Sequence, residues 1–233
     1  AMLKELITLD QELLLALNGS DSLFMDGLMW TFTQTLTWVP LLVGIIYVLF
    51  QNQRPSVCFT IILTAILLVV FTDQFSSSLC KPYFHRLRPT RTPEIAAMVD
   101  VVNGYRGGLY GFISSHAANT FGAAMFFTLV FRHAPTGLLL FCWASLSSYT
   151  RIYLGVHFPL DILCGALCGL VSGTLFWFVC QRICGRHATS SDYSTSLRTP
   201  TGYAKTSFSA ISFAASLSVI YALIRAVVTV SML

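Results

Sequence analysis

Charge is what this sequence has least of. Lys, Arg, Asp and Glu make up 10% of its 233 residues, where a soluble domain carries roughly 25%. A chain so depleted has too few polar side chains to cover a water-facing surface. With 55% hydrophobic residues and a mean hydropathy of +0.70 it is expected in a membrane. The net charge of +4 is too small to argue for nucleic acid. Carboxylate clusters of the kind that hold Mg²⁺ are missing, so neither a metal nor any other cofactor is expected. The seven cysteines are scattered. Cys58, Cys142, Cys164, Cys168 and Cys180 fall in or beside apolar runs and read as small buried hydrophobes. No basic segment precedes the first apolar run, so a cleaved signal peptide is not expected. Neither a repeat nor a second domain is visible, and residues 1–233 read as one membrane-embedded unit.

What is present is a series of apolar runs. Residues 3–17 set Leu3, Leu6, Ile7, Leu13, Leu14 and Leu17 against Lys4, Glu5, Thr8 and Glu12 at helical spacing. That pattern predicts an amphipathic helix lying on the bilayer surface. Crossing a bilayer takes about 20 apolar residues. Six spans are predicted, over residues 28–50, 57–79, 115–131, 135–149, 160–180 and 208–233, giving an all-α polytopic membrane protein. Gly165, Gly169 and Gly173 recur every four residues, which predicts close approach of a neighbouring helix. Residues 81–114 and 185–207 are the two long polar loops, the second rich in Ser and Thr.

The segment Thr150–Asp161, T-R-I-Y-L-G-V-H-F-P-L-D, concentrates the chemistry. Arg151 brings a planar fork of donors suited to phosphoryl oxygens. His157 and Asp161 stand four residues apart, on one face if the segment is helical, and Pro159 predicts a helix start. A carboxylate that holds one ring nitrogen of His157 as N–H leaves the other free as nucleophile or base. The bland alternative is an interfacial anchor with Asp161 as a capping residue. Two further segments weigh against it. Lys81-Pro-Tyr-Phe-His-Arg-Leu-Arg88-Pro89 sets a Lys and an Arg seven apart. Ile113-Ser114-Ser115-His116 opens the third span, where free backbone N–H groups favour an anion. Ser114 and Ser115 add hydroxyl donors, and His116 a proton donor.

Together these segments resemble the signature of the type 2 phosphatidic acid phosphatase family, K-x6-R-P, then P-S-G-H, then S-R-x5-H-x3-D. Lys81, Arg88 and Pro89 match the first motif, Ser114 and His116 the second, and Arg151, His157 and Asp161 the third. Ile113, Ser115 and Thr150 depart from it, replacing Pro, Gly and Ser. The resemblance implies a phosphohistidine mechanism. His157 is the expected nucleophile, Asp161 its partner, and His116 the acid and then the base. Lys81, Arg88, Arg151, Ser114 and the N–H groups around Ser115 bind phosphate. Tyr83, His85, Arg86 and Arg106 are candidate headgroup contacts, although solvated charge is the plainer reading of His85, Arg86, Arg91 and Arg106. Asp73 is expected to pair with a base of the first motif.

Counting crossings puts the three motifs on one side of the membrane. The other side carries Arg54, Arg132, Arg182, Arg186, Arg198 and Lys205 with the single acid Asp192. The motif side, beyond the motifs, carries Lys4, Arg86, Arg91, Arg106 and Arg225. Positive charge favours the cytoplasm, so the motifs are expected on the non-cytoplasmic face, the periplasmic face of a bacterial inner membrane. The expected activity is metal-independent hydrolysis of a long-chain lipid phosphate or diphosphate. A polyprenyl diphosphate or phosphatidylglycerol phosphate stands first, lipid A phosphates next, and phosphatidic acid is a further candidate. Transfer of the phosphoryl group to a lipid hydroxyl is an alternative, and a non-catalytic transporter or scaffold another. The loop 81–114 reads as a cover over the site.

Overall fold

The computed structural model describes residues 2–185 and 197–231. Part of the polar loop predicted over residues 185–207, with Arg186 and Asp192, lies outside the described residues. The chain folds as helices α1 (Met2–Leu17), α2 (Leu23–Phe32), α3 (Val39–Asn52), α4 (Pro55–Gln74), α5 (Lys81–Phe84), α6 (Ser115–Phe131), α7 (Ala134–Tyr153), α8 (Pro159–Cys184) and α9 (Ser209–Ser231). Among the described residues there is no strand, only isolated bridges at Leu87–Tyr110 and Arg198–Ala204. The starts of α3, α4, α7 and α8 carry proline in the first turn, where its missing N–H costs nothing. Ser114 caps α6, accepting the Ala117 N–H on its hydroxyl.

Among the described residues, four helical stretches are long and apolar enough to cross a membrane: Thr35–Asn52, Pro55–Phe84, Pro159–Cys184 and Lys205–Ser231. Six were predicted. The other two correspond to α6, with 17 residues, and α7, with 20. Helix α6 packs inside the bundle and α7 packs on it, leaving Leu138 and Cys142 exposed; α7 buries Ser147, Ser148, Thr150 and Arg151, which lowers its apolarity. The first predicted span is interrupted. Helix α2 stops at Phe32, and a 3-10 turn (Thr35–Trp38) intervenes before α3. The carbonyls freed there are satisfied locally, since Thr37 Oγ1 donates to Thr31 O at 2.6 Å and Trp38 Nε1 to Phe32 O at 2.9 Å. The second span runs further than predicted. A π-helical turn (Phe75–Cys80) carries it straight into α5 and the first motif.

Helix α6 forms the centre, against α8, α7 and α4, while α9 packs on α2 and α3. The α6–α8 contact is backbone to backbone. A Cβ on Gly165 would stand 2.5 Å from the Ser114 carbonyl oxygen, and those on Gly169 and Gly173 would clash likewise with the carbonyls of Ala118 and Gly122. On the outside, Phe59, Leu63, Ile66 and Val70 of α4, Leu163, Leu167, Val171 and Phe178 of α8, and Phe213, Ile220 and Ile224 of α9 are exposed. Apolar surface this extensive is not left in water, so the chain is an integral membrane protein. The cysteines form no disulfide among the described residues. Cys58 and Cys180 are buried as predicted, whereas Cys164 and Cys168 are half-buried and Cys142 lies on the outer surface.

Helix α1 forms over the predicted residues, with one of the predicted apolar positions, Leu14, turned inward. It docks on the bundle through Asp10 and Leu14, both buried, and exposes Met2, Leu6, Leu9, Leu13 and Leu17 as a separate apolar stripe. Asn18 fixes its end, with its amide donating to Tyr153 O at 2.7 Å and its carbonyl accepting the Asp100 N–H at 2.7 Å.

The glycine contact yields a direct test. Gly169→Val forces two backbones apart and is expected to cost at least about 1–3 kcal/mol. Thermal unfolding in detergent should show a clear fall in midpoint, and an unchanged midpoint would refute the tight α6–α8 seam.

Candidate active site

Helix α7 ends at Tyr153, and the chain turns back sharply. The N–H groups of Val156 and His157 both donate to Arg151 O, at 3.1 and 3.3 Å. Helix α8 then starts at Pro159, as predicted, so His157 sits just before the helix rather than on its face. Asp161 is held by the helix start itself, because its Oδ2 accepts the Phe158 N–H at 3.0 Å. The capping role and the pairing role coexist. The same Oδ2 lies 3.5 Å from His157 Nδ1, too long for a full hydrogen bond and short enough for strong electrostatic contact. On the other side of the ring, Arg88 Nη1 stands 3.1 Å from Nε2. A guanidinium cannot accept, so Nε2 carries the lone pair and Nδ1 the proton. The tautomer follows from the neighbours. Burial holds the imidazole well below its ordinary pKa, and the Arg88 and Arg151 charges add to it, so the ring rests neutral.

The first motif reaches this ring along two routes. Arg88 is buried, its Nε donating to Tyr110 O at 3.1 Å and its Nη1 to Val156 O at 2.9 Å. Lys81, aimed by the π-helical turn, donates to Ser115 Oγ at 2.8 Å. The hydroxyl at the position where the family motif has glycine is therefore engaged by the motif's own lysine. The second motif joins the third through the backbone, Ser114 N–H donating to Asp161 O at 3.0 Å. Its hydroxyl is turned to the α6 cap. His116 follows in the first turn of α6, against the Thr33 backbone and near enough to His157 for the two rings to interact electrostatically. The Thr150 hydroxyl turns into α7, donating to Ser147 O at 2.6 Å.

Three contributors are not in the motifs. Thr33, at the break between α2 and α3, accepts from Arg151 Nη1 at 2.8 Å. Tyr105 faces Arg151 with its hydroxyl 3.3 Å from Nη2. Arg151 Nε is buried without a hydrogen-bond partner among the described residues. Gly111 lies against the His–Asp pair, where a Cβ would come 3.0 Å from Asp161 Oδ2 and 3.6 Å from His157 Nδ1. The loop 81–114 is thus folded back over the site, pinned by Arg88 N–H to Leu109 O at 3.0 Å and Gly111 N–H to Arg86 O at 2.9 Å.

The candidate headgroup residues divide. Tyr83 and Arg106 are exposed, and His85 is exposed with its ring edge-on to Tyr110 at 4.9 Å. Arg86 is only partly exposed and turns inward. It bridges Asp10 and Asp161, with Nη1 donating to Asp161 Oδ1 at 2.7 Å. Asp73 forms no ion pair among the described residues. Among those residues no three His, Cys, Asp or Glu side chains gather as a metal site requires. A cavity of about 730 Å³ at the opposite end, beside Asn52, Arg54 and Arg198, has neither histidine nor carboxylate in its lining.

Comparison with known proteins agrees with this geometry. The model of the PAP2 superfamily matches residues 56–183. A lipid A 4'-phosphatase of Bacteroides thetaiotaomicron is 41% identical over 187 residues, 79% of this chain and 83% of that one. A lipid A 4'-phosphatase of Porphyromonas gingivalis is 36% identical over 168 residues, 72% of this chain and 71% of that one. The crystal structure of Aquifex aeolicus LpxE superposes with a TM-score of 0.52 at 28% identity, covering 71% of this chain and 92% of that one. Three motifs converging on one buried histidine, and a family match across more than half the sequence, have one reading: the chain belongs to the PAP2 superfamily.

Proposed function

We propose that this PAP2 phosphatase removes a phosphate from the sugar headgroup of a lipid A-type substrate, through a phosphohistidine, at the periplasmic face of a bacterial inner membrane. The observation that carries the chemistry is His157, neutral and buried, with Asp161 behind Nδ1 and Arg88 at Nε2. Nε2 attacks phosphorus in line, and the bond from phosphorus to the sugar oxygen breaks. His116, protonated once the charge of the phosphate dianion offsets that of Arg151, gives its proton to that oxygen. The imidazolium that forms is stabilised by Asp161. His116 then takes a proton from water, which displaces His157 and releases inorganic phosphate. Lys81, Arg88 and Arg151 neutralise the equatorial oxygens of each transition state. The free Nε of Arg151 and the N–H groups at the start of α6 complete the cradle. With three cations in that role, a metal has no step to perform.

The order of substrates differs from that reached on sequence alone. Two relatives of similar length named lipid A 4'-phosphatase favour lipid A over a polyprenyl diphosphate or phosphatidylglycerol phosphate. The exposed apolar belt supports a lipid in any case. Each buried methylene contributes about 0.8 kcal/mol toward holding a substrate at this depth. Counting α6 and α7 as spans gives six crossings and puts all three motifs on one side. Helix α1 lies along that side with its free apolar stripe in the interface.

The substrate assignment is tested by phosphate release from bis-phosphorylated lipid A, phosphatidylglycerol phosphate and undecaprenyl diphosphate in detergent. Lipid A should be turned over fastest and lose the 4' phosphate, orthovanadate should inhibit, and EDTA should not. A strict Mg²⁺ requirement would overturn the mechanism. The roles of the histidines separate under substitution. His157→Ala should lower turnover by about 10³-fold or more, and Asp161→Asn by about 10²-fold. His116→Ala should accumulate phosphoenzyme when the leaving group is good. Full activity in His157→Ala excludes it as nucleophile. The layout predicts that cysteines introduced at Ser56 and Glu94 label from opposite sides in a cysteine-free background, and labelling from one side rules out the six-span arrangement.

A further inference from the structure

Helix α1 lies outside the stretch that matches the family model, yet it sends one carboxylate into the centre of the molecule. Asp10 is 2% exposed. Its Oδ1 accepts the Leu160 N–H at 2.9 Å, in the first turn of α8, and its Oδ2 accepts from Arg86 Nη2. The other arm of that guanidinium holds Asp161 Oδ1, and its plane lies 4.4 Å over the Phe158 ring. Phe158 and Leu14 in turn share one apolar cluster with Ile95, Val99 and Ile152. All four oxygens of the two carboxylates accept hydrogen bonds, and the guanidinium held between them favours the charged form of each.

We propose that Asp10 is a positioning residue for the phosphatase reaction, acting through Arg86 on Asp161, so that docking of α1 completes the active site. This rests on the phosphohistidine reading above. Two effects follow from the arrangement. The first is geometric. Arg86 fixes Oδ1, which leaves Oδ2 aimed at His157 Nδ1. The second is electrostatic. Two carboxylates and one guanidinium leave one net negative charge beside an imidazole that becomes cationic during the reaction. Without Asp10, the whole charge of Arg86 rests on Asp161, and the imidazolium loses its counter-charge at low dielectric. The exposed apolar stripe of α1 then gives the contact a consequence. A bilayer that holds α1 at the interface also holds the histidine pair in register.

The test uses purified full-length protein in detergent, with bis-phosphorylated lipid A for turnover and orthovanadate for affinity by calorimetry. Asp10→Asn keeps size and removes charge. It should lower kcat at least about tenfold with KM within about twofold, the sign of an interaction made in the transition state. Orthovanadate affinity should fall in parallel. Glu5→Gln, on the exposed side of the same helix, should match wild type. Arg86→Met leaves two buried carboxylates facing each other, so adding Asp10→Asn to it should be neutral or restore activity rather than multiply the loss. Wild-type kcat in Asp10→Asn overturns the proposal, as do multiplying losses in the double variant or a loss of thermal stability alone. A wild type that binds no orthovanadate and forms no phosphoenzyme would instead overturn the underlying mechanism, and this inference with it.

Discussion

Asp161 holds the site together because it answers four demands at once. Its carboxylate closes the first turn of α8 through the Phe158 N–H. The same group faces the His157 ring and anchors Arg86, and the Asp161 backbone carbonyl takes the Ser114 N–H that starts α6. A buried charge is costly unless its hydrogen bonds are filled, and here each oxygen is filled by a group from a different part of the chain. Moving any one of them moves the histidine. The two helices that carry the second and third motifs are therefore registered by one residue, and the glycine seam lets them come close enough for it.

That registration explains why α6, which the second motif opens, sits in the middle. Helices α6 and α7 carry Ser114, His116 and Arg151 at their motif-side ends, and α7 also buries Thr136, Ser147, Ser148 and Thr150. Lipid would penalise such groups by several kcal/mol each, so α4, α8 and α9 present the apolar surface around them. The same demand accounts for the break between α2 and α3. A continuous helix there would have spent the Thr33 backbone on its own ladder; broken, it places Thr33 against Arg151 and His116.

How far this was legible in the sequence depends on which signal each feature left. The three motifs read clearly, because Lys81, Arg88, His116, Arg151, His157 and Asp161 keep fixed spacings that an apolar chain has no other reason to contain. The helix start at Pro159 reads clearly as well. The interruption at Thr33 was hidden by averaging over a window, although Thr31-Phe-Thr-Gln-Thr-Leu-Thr37 carries four threonines and a glutamine within a predicted span. Arg86 was read as solvated or as a headgroup contact because its partners are 76 and 75 residues away. Asp10 belonged to neither face of the amphipathic pattern. Its meaning depends on a tertiary contact that periodicity does not carry.

The placement of Arg86 has a further effect on the phosphate side. Arg88 and Arg151 have no carboxylate within ion-pair distance among the described residues, and Asp161, the nearest candidate, is already engaged. Burial and the Arg151 charge press the Arg88 guanidinium below its ordinary pKa, the mark of cations held together without a counter-ion. Such an arrangement costs stability in the resting protein and is relieved only when an anion enters. On the proposed mechanism a phosphate dianion would supply that relief where His157 Nε2 meets Arg88, drawing the guanidinium onto its oxygens and freeing the lone pair. The fold keeps its negative charge behind His157 and its positive charge in front of it.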